Sequence, residues 1–116
     1  MNELLLVTAG CLGMTIAVVH GYLGEMKVVR PIQGLGVSTK RVARAIWFLS
    51  AVYWFAGGVI LAASPWYSAR EGYPVLALCV GAMYLAGAAA NFWATRGRHF
   101  GWVLLSATAG LIWFGA

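Results

Sequence analysis

The chain has 116 residues, 62% of them hydrophobic and 9% charged, with eight Lys and Arg against three Asp and Glu and a formal net charge of +5. A soluble globular domain carries about 25% charged residues, and a chain this short has too little interior to hide so much apolar surface from water. A soluble domain is therefore excluded, and so is a β-barrel, because the apolar runs show no strand alternation.

Four apolar stretches follow one another, at residues 4–24, 43–63, 74–94 and 100–116. A helix needs about 20 apolar residues to cross the hydrocarbon core, and the first three stretches meet that length. The fourth is shorter and calls for local bilayer thinning. The expected fold is all-α: a single integral membrane domain, residues 1–116, forming a four-helix transmembrane bundle. The first stretch has no basic leader and is longer than a signal-peptide core, so it reads as a retained helix.

Along the first helix, Ala9, Gly13, Ala17 and Gly21 recur every four residues. In lipid no hydrophobic force drives helices together, so such small-residue ridges supply close packing instead. Gly57-Gly58 on the second helix, and Gly81 with Ala82, Ala86 and Ala90 on the third, offer similar surfaces. Pro31 should end the first helix near Arg30. Residues 25–42 then read as a loop, with a turn at Gln33-Gly34-Leu35-Gly36 and with Ser38 as the cap of the second helix.

The basic residues sort by side. Lys27, Arg30, Lys40, Arg41 and Arg44 flank the first connection and Arg96 and Arg98 the third, whereas the second holds Arg70 alone, beside Glu71. Seven positive charges against one is a strong bias. Basic loops stay in the cytoplasm, so both termini are expected on the periplasmic side, N-out and C-out. Charges distributed this way encode topology and offer no nucleic-acid footprint. Their expected partners are anionic lipid headgroups at the cytoplasmic face. Trp66, Tyr67 and Tyr73 form an outer aromatic belt, and Trp47, Trp93, Phe100 and Trp102 an inner one.

Few residues carry chemistry. His20 lies about one turn inside the cytoplasmic end of the first helix, and ionisable groups at membrane depth face the bundle interior or mark a pathway. Ser50 and Asn91 stand at a similar depth on the second and third helices, with Arg44 and His99 just below. The outer half has only Thr8, Ser106 and Thr108 for comparison. His20, Glu25, Ser50 and Asn91 are therefore the candidate ligand or proton site. The ordinary alternative is hydrogen-bonded glue between helices. Glu25 reads most simply as an ion-pair partner of Lys27, Arg30 or Arg44. Two histidines are too few for a metal centre. Haem is disfavoured because His99 sits at the interface, and no cofactor is expected. Cys11 and Cys79 lie in apolar stretches without a CxxC pair. No Ser/His/Asp set, carboxylate pair or phosphate-binding glycine loop is present, so nothing supports an enzyme.

The segment His20-Gly21-Tyr22-Leu23-Gly24-Glu25, followed by a basic stretch ending at Arg30-Pro31, resembles a group of small bacterial inner-membrane proteins with no assigned function. Their first helix ends in an H-[SG]-x-L-G-E segment. Arg44-Ala45-Ile46-Trp47 and Trp54 are similar to that group's second helix, where a histidine often follows the first Trp; here the position is Phe48. The resemblance spans about the first half of the chain. It implies a bacterial inner-membrane four-helix protein and no particular activity. Small multidrug transporters are similar in outline alone, since they use a glutamate within the first helix. The leading functional expectation is a non-enzymatic lipid- or small-molecule-binding bundle, or an accessory subunit of a larger membrane complex. The rival is a small proton-coupled transporter working as a homo-oligomer through His20 and Glu25. A haem protein or membrane-embedded enzyme comes third.

Overall fold

The computed structural model describes residues 1–116. Every regular element is helical: α1 (Glu3–Leu23), continued by a wider π-helical stretch (Gly24–Val29), α2 (Val37–Ala62), the one-turn α3 (Ser64–Tyr67), α4 (Tyr73–Thr95) and α5 (Gly101–Gly115). Three of these, the α1 unit, α2 and α4, are long and apolar enough to cross a membrane. α5 is a shorter apolar helix.

Local chemistry sets the ends. The Asn2 side chain accepts from the Leu5 amide at 3.2 Å, and Glu3 stands in the first turn of α1, where the positive end of the helix dipole favours an acid. At the far end the helix widens and stops just before Pro31, which lacks the amide a continuing helix would need. Lys40 reaches back across the connection, and its ammonium donates to the carbonyls of Arg30 (3.0 Å) and Ile32 (3.2 Å). It thereby satisfies oxygens at a helix end that nothing intrahelical can reach.

α2 begins at Val37, well before the apolar stretch does. Hydropathy marks where lipid-compatible surface starts, whereas Val37–Val42 has no breaker and continues the helix into its charged turn. The expected loop over 25–42 therefore shrinks to the short link between Val29 and Val37. Ser38 is not the cap: Gly36 occupies that position, with no side-chain hydrogen bond, and Ser38 lies inside the first turn. α4 starts after Gly72 (φ 85°) with Pro74 in its first turn, where no amide partner is lost. It ends at Arg96 (φ 52°) and Gly97 (φ 73°). The Gly97 amide bonds the Phe92 carbonyl at 2.9 Å, and this left-handed turn closes the helix.

α1 is flanked by α2 and α5, and α4 packs on α5 and touches α2 more lightly. Both chain ends meet at one end of the bundle, the terminal end, where the Asn2 amide bonds the Gly115 carbonyl at 2.7 Å. α3 folds beneath it, and Ser68 donates to the Glu3 carboxylate at 2.6 Å. The opposite end holds the Val29–Val37 and Thr95–Gly101 links, and with them most of the basic residues; we term it the basic end.

The core is concentrated toward the terminal end. Leu6, Ala9, Leu61, Ala77 and Ile112 are fully buried. Ala9, Gly13, Ala17 and Gly21 are all buried, but they do not act as one uniform seam. The closest approach of α1 to α2 runs through Gly10 and Gly58: a Cβ on Gly10 would lie 2.6 Å from the Gly58 carbonyl oxygen and 2.5 Å from the Ala62 nitrogen. Gly13 makes room for the Tyr84 ring, whose hydroxyl reaches across to donate to the Trp54 carbonyl at 2.6 Å. On α4, Gly81 is buried but Ala82, Ala86 and Ala90 are exposed. The inward face instead carries Ala77, Val80, Gly81, Tyr84 and Ala88. The four-residue spacing from Ala82 describes a real stripe, but it points outward.

Candidate functional site

Toward the basic end the helices part. Positions that would continue the core line a cavity of about 520 Å³. α1 contributes Leu12, Ile16 and His20, α4 Asn91 and Thr95, and α5 Leu104 and Leu105. The spacing is helical: residues four apart share a face, which brings Leu12, Ile16 and His20 into line and sets Thr95 below Asn91. The walls are apolar apart from Thr15, whose hydroxyl donates to the Cys11 carbonyl at 2.9 Å, and the basic end, where His20, Asn91, Thr95, His99 and Lys27 gather.

His20 is held on several sides. Its ring stacks on Trp47 at 4.7 Å between centroids and 11° between planes. Trp54 lies against it at 4.5 Å and 53°. Nε2 is 3.1 Å from the Ser50 hydroxyl oxygen, and that hydroxyl donates to the Trp47 carbonyl at 2.7 Å. Ser50 has one proton to give. Because it goes to Trp47, Nε2 is the donor toward Ser50, and neutral His20 keeps a bare acceptor at Nδ1. The Trp47 indole N–H donates to the His20 carbonyl at 2.9 Å. The indole lies over Gly24, where any Cβ would collide with it. Trp47 is thus a half-buried structural clamp at the start of the π-helical stretch. Wide turns of this kind are frequent at functional sites.

Asn91 lines the same cavity, and its Oδ1 is buried with no hydrogen-bond partner in the protein. Its Nδ2 and the Nδ1 of His99 both sit over Gly101. His99 Nδ1 accepts from the Gly101 amide at 3.0 Å.

Comparison with protein-family models, curated proteins and solved structures finds no match to this chain.

The four residues expected to form one site divide in two. His20 and Ser50 are hydrogen-bonded; Asn91 lines the cavity with His20, which Ser50 does not reach, and bonds neither. Glu25 stands apart: Arg44 holds its carboxylate through two contacts, Nε at 2.8 Å and a terminal nitrogen at 2.9 Å, with Arg30 at 3.5 Å. This ties the π-helical stretch to α2. Arg44, Arg30 and Lys40 thus use their charges within the chain, while Lys27, Arg41, Arg96 and Arg98 are exposed. No three His, Cys, Asp or Glu side chains converge as a metal centre would require.

Sequence reasoning passed over Trp54 as a contact of His20 and over Thr95 and His99 as cavity residues. The first could not be read, because helix rotation is set by packing. The second was available in the i, i+4 spacing from Asn91.

Proposed function

We propose that the chain is a multi-pass protein of a bacterial inner membrane, with both termini periplasmic, which binds a small apolar molecule in the cavity beneath His20. Membrane insertion rests on the surface. Leu4, Trp93, Trp113 and Phe114 are each more than 70% exposed, and only 23 of 116 residues are buried. Apolar patches of this extent call for lipid. Backbone amides and carbonyls inside hydrocarbon must be paired within the chain, and helices do that. The orientation rests on the basic links, which the positive-inside rule assigns to the cytoplasm. A periplasm-dependent reporter fused after Ala116 is expected to be active, and a cytoplasm-dependent one silent; the reverse would overturn the orientation.

The observation that carries binding is the cavity: about 520 Å³ of mostly apolar wall ending in a few convergent polar groups. Ligand sites commonly span about 300–1,000 Å³ and have this composition. Neither the residues nor their arrangement provides a nucleophile, so the reading is non-enzymatic. Native mass spectrometry of the protein released gently from membranes is expected to show a bound small molecule. Leu104→Trp, which places an indole in the cavity, should remove it. Identical spectra for both proteins, or no adduct in either, would overturn the reading.

A further inference from the structure

We infer that the cavity takes an uncharged amphiphile whose head bears a hydroxyl hydrogen-bond donor, as a membrane hydroquinone does, with its apolar body lying between α1 and α5. This rests on the binding role proposed above and names the chemistry of the ligand.

The argument is an account of donors and acceptors. Two acceptors near the basic end lack a partner in the protein. One is Nδ1 of His20, left bare because Nε2 donates to Ser50. The other is Oδ1 of Asn91, buried and unpaired. A buried acceptor without a donor is costly, so Asn91 Oδ1, with the free Nδ1 of His20 beside the same cavity, favours a ligand that brings a proton. Thr95 does not pair with that Oδ1, because its hydroxyl donates to the backbone carbonyl of Asn91 at 2.7 Å.

Charge narrows the class. Lys27 is the one permanently charged side chain of the lining. A cationic head would meet its ammonium and gain no counter-ion. A carboxylate would gain Lys27 as a counter-ion but, able only to accept, would leave the Asn91 acceptor unpaired and face its lone pairs. A neutral hydroxyl meets neither objection. The walls accommodate the rest: Leu12, Ile16, Leu104 and Leu105 offer aliphatic surface, and Trp47 and Trp54 offer aromatic surface beside His20. A ring alcohol with a hydrocarbon tail matches both parts, and an aliphatic alcohol matches the first.

The test is calorimetric titration of the full chain in lipid nanodiscs, with empty nanodiscs correcting for partition. Four probes are compared: decylhydroquinone, its dimethyl ether, 1-decanol and decanoate. The dimethyl ether keeps the shape and loses the donors. Decylhydroquinone is expected to bind roughly tenfold tighter than its ether, the usual worth of one hydrogen bond. In Asn91→Leu that preference should shrink. Decanol binding as tightly as the hydroquinone would assign aliphatic alcohols as the source of the hydroxyl, and weaker binding would assign ring alcohols. Equal binding of hydroquinone and ether, or tighter binding of decanoate, would overturn the donor inference and leave the cavity reading standing. No binding of any probe, together with no adduct in the mass spectra, would overturn both. The comparison among probes is made on the unaltered protein, so it does not depend on the folding of a variant.

Discussion

Gly10→Ala is expected to destabilise the bundle by about 1–3 kcal/mol or more, the usual range for overpacking a filled interior. The new methyl would meet backbone, namely the Gly58 carbonyl oxygen at 2.6 Å and the Ala62 nitrogen at 2.5 Å. Backbone within a long helix cannot turn aside as a side chain can, so α1 and α2 must separate along this seam. In lipid the contact between two helices is van der Waals packing with no hydrophobic term behind it, and separation forfeits it directly. Gly58→Ala should behave alike, since its Cβ would lie 2.8 Å from the Gly10 carbonyl oxygen. Gly13→Leu should also unfold the protein, because Tyr84 occupies the space and is anchored to the Trp54 carbonyl. Gly21 is the contrast: a Cβ there meets only Ala51, at an ordinary 3.6 Å. Thermal unfolding in detergent, followed by circular dichroism, should rank Gly10→Ala and Gly13→Leu far below Gly21→Ala, with the last close to the parent. A Gly10→Ala protein as stable as the parent would refute the close seam.

That ranking shows where the sequence is informative and where it stops. Small residues every four positions identified a face of α1 that is buried, because helical periodicity is a property of the chain alone. The partner opposite each glycine was not legible. Gly10 lies one step off the expected ridge yet makes the tightest contact with another helix's backbone, and Gly21, on the ridge, makes a loose one. The same limit explains the outward stripe of Ala82, Ala86 and Ala90. Small size permits close packing, but the rotation of α4 is decided by larger neighbours, above all Tyr84, whose ring must enter between α1 and α2.

Helix extent was legible in the middle and less so at the ends. The apolar stretches located the three long helices and the shorter α5 to within a few residues, except at the start of α2. There the charged turn Val37–Arg44 is helical because Lys40 and Arg44 find partners in the preceding segment, at the Arg30 carbonyl and the Glu25 carboxylate. Such contacts span the link and leave no periodic trace. The π-helical stretch was equally hidden. Its Gly24 is required by the Trp47 indole, a residue on another helix.

The polar residues near the basic end give the second large effect, because His20 is coupled to Ser50 and not to Asn91. His20→Ala removes the donor to Ser50 and opens a gap between two indoles, and should cost about 2–4 kcal/mol as a combined loss of packing and hydrogen bonding. Ser50→Ala should cost less alone. In the double variant the losses should fall short of their sum, because both changes delete one shared bond; groups in contact couple by about 0.5–3 kcal/mol. Asn91 behaves otherwise. It makes no bond to His20, so His20→Ala and Asn91→Ala should add. Asn91→Leu should raise the stability of ligand-free protein by about 1 kcal/mol, since it replaces a buried acceptor lacking a partner with an apolar side chain of similar volume. A residue that weakens the empty bundle while lining its cavity is what a binding site requires, because local strain and unpaired groups concentrate where a ligand completes the structure. Chemical denaturation of the parent and of these single and double variants, stripped of small molecules by detergent exchange, separates the roles. Coupling between His20 and Asn91, with destabilisation by Asn91→Leu, would make Asn91 helix glue and remove the unpaired acceptor from the cavity.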